Sequence, residues 1–457
     1  MTTVIETYGG FATRLRRAEI EDNVRHHATR AVVDWFAAAL PGGALPPATL
    51  VARAVADQVG TGAATLILSG TPASAQAAAL INGTASHTVE FDDIFRDGLY
   101  HPGAPTIPAA LAAAELSQAN GERLLRGVIA GYEVSNRIAR AVNPRHYDFW
   151  HTTATVGCFG AAAAAAVILG LDGQKTAHAL ATAATMAAGL QQAFRADAMS
   201  KPLHAGRAAE AGLLAARMAA EGVTGALDAL EGPRGFGAAM SGEGVDWAAA
   251  TADLGTEWTI TRMTFKNHAA CGHVHAAVDA VLTLAAEHGL TASDVERMEV
   301  GSYAKSLEIC GNATPTTAFE AKFSLPYCVG AALVRGSVRR AAFDDEALAD
   351  PAIRTAAAKV MQSVDSDCEA AFPRARSARV TIHTADGRRL DHYAPTRKGD
   401  PDNPLTDAEL DDKFCELAEP VLGAVPAHRL LSRLRDLAHE NRVSDVVRDA
   451  SLPQAAE

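Results

Sequence analysis

The chain is poor in aromatic residues, which make up 5% of its 457 residues. Its six cysteines (Cys158, Cys271, Cys310, Cys328, Cys368 and Cys415) form no CxxC and no paired spacing. That excludes a disulfide framework and a structural zinc site, and it fits a reducing compartment. Basic residues are in deficit, 41 Lys and Arg against 53 Asp and Glu, for a formal charge of −12. No electrostatic footprint for nucleic acid or an anionic membrane is left, so neither is expected as a partner. An anionic small molecule responds to the local field and stays open. The opening "MTTVIETYGGFATRLRR" has no continuous apolar core, and the longest apolar run, "CFGAAAAAAVILG", is shorter than the about 20 residues that span a bilayer. A soluble, cytoplasmic protein is expected. GxGxxG, GxxxxGK[ST], GxSxG and HExxH are all missing, which removes the usual dinucleotide, nucleotide-hydrolysis, hydrolase-elbow and zinc-protease readings.

What is abundant is alanine. With 48% hydrophobic and 21% charged residues, the chain can bury a large core, and small residues at this density suit closely packed helices. From about Ile20 to Ala250 the pattern is helical almost throughout, with segments such as "HHATRAVVDWFAAAL" and "GRAAEAGLLAARMAAEG" ending at Gly or Asn. No fixed repeat emerges. Past Trp258 the texture changes. "VERMEVGSY" reads as a strand, and "ARVTIHTADGRRLDHY" as a hairpin turning at Asp386-Gly387. A capping box from Thr406 to Glu409 then opens another helix. The expected fold is mainly α: an all-helical domain of residues 1–265 plus 396–457, and an inserted α+β domain of residues 266–395 around a small antiparallel sheet, with the active site at their junction.

Four stretches concentrate reactive side chains. "EFDDIFRDGLYHPGA" carries Glu90, Asp92, Asp93, Arg96, Asp97 and His101. "HYDFWHTTATVG" carries Tyr147 and His151, "RADAMSKPLHAGRAAEAG" carries Lys201, His204 and Arg207, and "FKNHAACGHVHAAVDA" carries Lys266, His268, His273 and His275. Each has a plainer reading: Asp92 or Asp93 as caps, His151 and His204 as polar residues near helix starts, Lys201 as a solvated loop lysine. His273 and His275 would share a face on a strand, as metal ligands can. The residues after them look helical, however, and at i, i+2 on a helix two rings diverge by about 200°. The expectation is a pocket free of metal and cofactor. His, Lys and carboxylates without a metal suit proton transfer at carbon beside a carboxylate, where cations stabilise the carbanion and a tuned His or Lys moves the proton.

These same stretches resemble the MmgE/PrpD (2-methylcitrate dehydratase) family. "NGTASHTVEFDD…HPGAPTIPAALA", "WHTTATVGCFGAAAAAA", "KPLHAGRAAEAGLLAA", "FKNHAACGHVHAAVDA" and "EAKFSLPYCVGAAL" follow its motifs in order from about residue 20 to 440. The resemblance implies a helical domain with an inserted α+β domain, a homodimer, and a small polycarboxylate substrate handled without a required metal. It implies dehydration of a 2-methylcitrate-like substrate, with decarboxylation of a cis-aconitate type or epimerisation of an iminodisuccinate-like dicarboxylate as alternatives. A non-catalytic polycarboxylate-binding protein is the alternative from another class. The pocket residues implied are Asp92, Asp93, His101, His151, Lys201, Lys266, His275 and Tyr327. In the resulting mechanism, Asp93 orients His101, Lys201 and Lys266 hold carboxylates, and His151 and His275 serve as acid and base. Two departures stand out. Glu90 and Ile94 replace the first Asp and last Thr of an Asp-Phe-Asp-Asp-Thr pattern, and Cys271-Gly272 replaces a Cys-Arg pair, so that Arg96, Arg195 or Arg207 would have to supply an anion-binding cation.

Overall fold

The computed structural model describes residues 2–194 (Phe194 by its backbone only), 198–242 and 244–452. The chain divides into two compact units, Met1–Met263 with Thr406–Glu457 (unit 1) and Thr264–Leu405 (unit 2). The protein is mainly α with two small sheets.

Unit 1 is built around the helix Gly157–Leu169, whose residues are buried nearly all round. A helix that is apolar on every face can only lie inside other helices. Here it packs against the helices Gly103–Ser117, Gly121–Val142, Gly173–Met186 and Ser200–Ala220. Backbone-to-backbone closeness explains the small residues. A Cβ on Gly212 would come within 2.5 Å of the Cys158 carbonyl, and one on Gly206 within 2.1 Å of the Leu80 carbonyl, on the neighbouring helix Ala75–Ser86. The stretch Thr152–Leu169 is apolar and long enough, at 18 residues, to cross a membrane, but 94% of it is buried inside the protein. It is a core element. The C-terminal helix Asp407–Leu422 starts at the Thr406/Glu409 capping box that the spacing predicts and packs on the helix Asp22–Gly43. The helical reading missed one ribbon, β1 (Val59–Thr65) paired antiparallel with β2 (Pro72–Ala73).

Unit 2 holds β3 (Val295–Ser302), β4 (Val360–Val364), β5 (Ala378–Thr384) and β6 (Arg389–Ala394), in the spatial order β4-β3-β5-β6. The β5–β6 hairpin turns at Asp386-Gly387, with Gly387 at φ +86°, a region that glycine enters freely. The expectation of an antiparallel sheet is corrected at β4, which pairs parallel to β3. Parallel strands need a long connection, and the helices between Ala304 and Ala358 supply it. Met298, Val300, Val380 and Ile382 bury one face of the sheet, against which the helix His275–His288 packs.

Candidate active site

In unit 1 the reactive side chains converge on the loop that leaves the helix Ala75–Ser86. His87 caps that helix, and its Nδ1 donates to Asp92 Oδ2 at 2.7 Å. The same oxygen lies 3.2 Å from His101 Nδ1. One buried carboxylate oxygen thus faces two imidazoles, fixing the proton of His87 on Nδ1 and leaving Nε2 as a lone pair. That Nε2 is buried, with no hydrogen-bond partner among the described residues. The expected Asp93–His101 pairing is corrected. Asp93 points the other way, accepting from the Gly103 amide (3.0 Å) and the Tyr132 hydroxyl (2.8 Å). Burial, with Asp34 and Asp92 nearby, holds its carboxyl well above the usual carboxylate range. Adjacent residues in an extended loop face opposite sides, so only one of the two acids can reach the histidines.

His151 precedes the short helix Thr152–Thr155, and its ring stacks on His87 at 5.6 Å between centroids. Its Nδ1 is 3.0 Å from Nδ1 of His204, so one of the two rings donates to the other. Burial, then the neighbouring His87, His204 and Lys201, hold His151 well below the ordinary histidine value. His204 is pushed down to about 4, mainly by burial and then by His87 and Lys201. Both rings are therefore neutral near pH 7. Lys201 and His204 sit at i, i+3 in the first turn of Ser200–Ala220, which puts them on one face. The Lys201 ammonium is bonded to the Glu90 carboxylate, and both are buried. Beneath the loop, buried Lys413 donates to Asp34 Oδ1 (2.6 Å) and to the Phe91 carbonyl (2.7 Å).

Two proposed cations lie elsewhere. Arg207 is exposed and pairs with Glu210. Arg96 is buried, with its Nε 3.7 Å from Asp97, which in turn pairs with Arg262. Arg195 lies outside the described residues.

Unit 2 carries its own cluster. His268 Nε2 is 2.8 Å from Asp279 Oδ1, and the His268 ring packs edge-on against His275 at 5.1 Å between centroids. His275 opens the helix His275–His288, and its Nε2 donates to the Ala270 carbonyl at 3.0 Å. The proton is thereby held on Nε2, and Nδ1 is a buried lone pair without a hydrogen-bond partner. Burial, followed by His268, Arg397 and Lys266, holds His275 well below the ordinary value. Lys266 is buried in the same unit. His273 turns to the Tyr303 hydroxyl at 2.7 Å, so the two histidines of "HVH" face different partners. Tyr327 is buried and spends its hydroxyl proton on the Ala342 carbonyl at 2.8 Å, a structural bond where a substrate contact was expected.

His87, Asp34, Tyr132 and Lys413 were missed from sequence. His87 had one available signal, its position five residues before Asp92 inside a motif. Among the described residues, two side-chain groups have donor spacing suited to a cation, His87/Asp92/His101 and Cys415/Glu419/His428. In the first, His87 is hydrogen-bonded to Asp92 at 2.7 Å and His101 lies 3.2 Å from the same oxygen. In the second, His428 turns Nδ1 toward Cys415 and Nε2 toward Glu419, so its neighbours occupy opposite sides of the ring.

The arrangement suits proton transfer at carbon: neutral buried imidazoles, one carboxylate orienting two of them, and lysines in reach of acids. Comparison with known proteins agrees in kind. The MmgE/PrpD N-terminal domain matches residues 6–248, and the MmgE/PrpD C-terminal domain matches residues 268–438. A cis-aconitate decarboxylase-like protein of Aspergillus oryzae is 26% identical over 96% of this chain and 95% of its own. The cis-aconitate decarboxylase of Homo sapiens is 27% identical over 83% of this chain and 80% of its own, and that of Aspergillus terreus 25% over 95% and 90%. With both domains matched in order along nearly the whole sequence, the chain belongs to the MmgE/PrpD family.

Proposed function

We propose that the chain is a lyase that moves a proton at carbon beside a carboxylate of a small hydroxylated di- or tricarboxylate, eliminating water without a metal. The observation that carries this reading is the Asp92 oxygen shared by His87 and His101, next to the neutral His151–His204 pair. Asp92 fixes the His101 ring and stabilises its protonated form, which suits a general acid that delivers a proton to a leaving hydroxyl. His151 is neutral and suits a base. In unit 2, the bare Nδ1 of His275 is a second candidate base, and Lys266 a cation for a substrate carboxylate. Cations on that carboxylate stabilise the carbanion formed when the proton leaves.

The relatives favour a second reading, loss of carbon dioxide from an unsaturated tricarboxylate. The deciding experiment is a proton NMR time course in deuterated buffer containing chelator, with citrate, 2-methylcitrate, cis-aconitate and chiral hydroxydicarboxylates offered in turn. New vinyl signals from a hydroxy acid support dehydration. Carbon dioxide from cis-aconitate supports the second reading. Exchange of one C–H without net product would replace both with epimerisation, and activity only on adding a divalent metal would overturn the metal-independent mechanism.

A further inference from the structure

Among the described residues, the candidate cations of unit 1 are each set against an acid. Lys413 has Asp34, Arg96 lies beside Asp97, and Arg207 is turned outward to Glu210. Lys201 stands three residues before His204, whose ring meets His151, and its ammonium is bonded to Glu90. The side chains of Lys201 and Glu90 are only 3% and 6% exposed. Glu90 reaches this position from a backbone at φ +60°, the left-handed region that L residues other than Asn and Asp rarely enter. A strained, buried acid bonded to the lysine beside the His151–His204 pair is a built feature of unit 1.

We propose that Glu90 supplies from within the protein a carboxylate that a substrate would otherwise bring to Lys201, so that the substrate class is a hydroxylated dicarboxylate and a tricarboxylate is disfavoured. This rests on the reading of unit 1 as a carboxylate-handling site. A further substrate carboxylate directed at Lys201 meets the Glu90 charge at close range and must share an ammonium already neutralised. In a poorly solvated pocket, repulsion between two such charges amounts to roughly tenfold or more in affinity.

The experiment is calorimetric titration of the full chain with malate, tricarballylate and citrate, in chelator, for the unaltered protein and for Glu90→Gln. The unaltered protein is expected to bind malate about tenfold or more tightly than either tricarboxylate. Glu90→Gln keeps the shape and removes the charge, and is expected to shift that ratio about tenfold or more toward the tricarboxylates. Tighter binding of citrate or tricarballylate than of malate by the unaltered protein overturns the inference and leaves the site reading standing. So does an unchanged ratio in a folded Glu90→Gln. No binding of any carboxylate overturns both. Should Glu90→Gln fail to fold, the ratio in the unaltered protein decides.

Discussion

Lys413→Met tests the support under the aspartate loop. Lys413 and Asp34 are essentially without solvent exposure, at 0% and 1% for their side chains. The ammonium makes two charge-assisted bonds, to Asp34 and to the Phe91 carbonyl, and lies 4.2 Å from the centre of the Phe91 ring. Methionine fills similar volume, so the cost is electrostatic: Asp34 is left buried near Asp93 with its main countercharge removed. Deleting one partner of a buried pair costs about 3–5 kcal/mol. At about 2 °C per kcal/mol for a unit of this size, the melting temperature should fall by roughly 6–10 °C. Differential scanning calorimetry reads this directly. The double variant Asp34→Asn/Lys413→Met removes both charges and should recover at least half of the loss, a coupling that independent sites would not give. A single variant melting within about 1 °C of the parent would refute the reasoning, as would a double variant that shows simple addition of the two separate losses.

Three further outcomes are expected. Asp92→Asn should lower kcat by about a hundredfold or more, since His101 loses its orienting charge, whereas Asp93→Asn should be neutral to stabilising near pH 7 because that carboxyl is already pushed toward its neutral form; equal losses in kinetics and melting would contradict the division of roles. His146, pushed down to about 4 by burial, stays neutral in the fold while the unfolded chain takes up a proton below about 6.5. Stability should therefore fall as pH drops from about 6.5 toward 4, and His146→Gln should flatten that slope in melting curves; an identical slope would show the titration lies elsewhere. Gly206→Ala would drive a methyl into the Leu80 carbonyl and separate the two helices that carry His87 and Lys201. A loss of about 1–3 kcal/mol is expected, and chemical denaturation that finds less than about 0.5 kcal/mol would mean the helices shift apart freely.

The sequence made the helical character and the chemistry-bearing loop legible, because alanine density and a run of acids are local signals. The neighbouring acids were interchanged because adjacency in sequence carries no sign of which side each faces; Asp93 went to Tyr132 on a helix 39 residues away. Lys413 was invisible for a different reason. In "DDKFCELAE" it reads as a solvated charge on an amphipathic helix, and its partner Phe91 is 322 residues distant. β1 was missed because its Gly and Ala residues give little β signal, and β2 and β4 because two and five residues are too short to show alternation. Tyr327 reads from sequence as a motif residue, while the partner of its hydroxyl, the Ala342 carbonyl, is set by the fold and has no local signal.

Lys413 also sets a timetable. At a ribosome adding about 5–20 residues per second, roughly 8–30 s separate synthesis of Met263 from synthesis of Lys413, during which unit 2 is made. The nascent helical bundle waits through that interval with Asp34 and the Phe91 carbonyl lacking the ammonium that later ties them together. Those two bonds can form only after the helix Asp407–Leu422 has been made. Neutralisation of Asp34 is therefore tied to near-completion of the polypeptide, and a chain released before Lys413 would hold Asp34 and the Phe91 carbonyl without that donor.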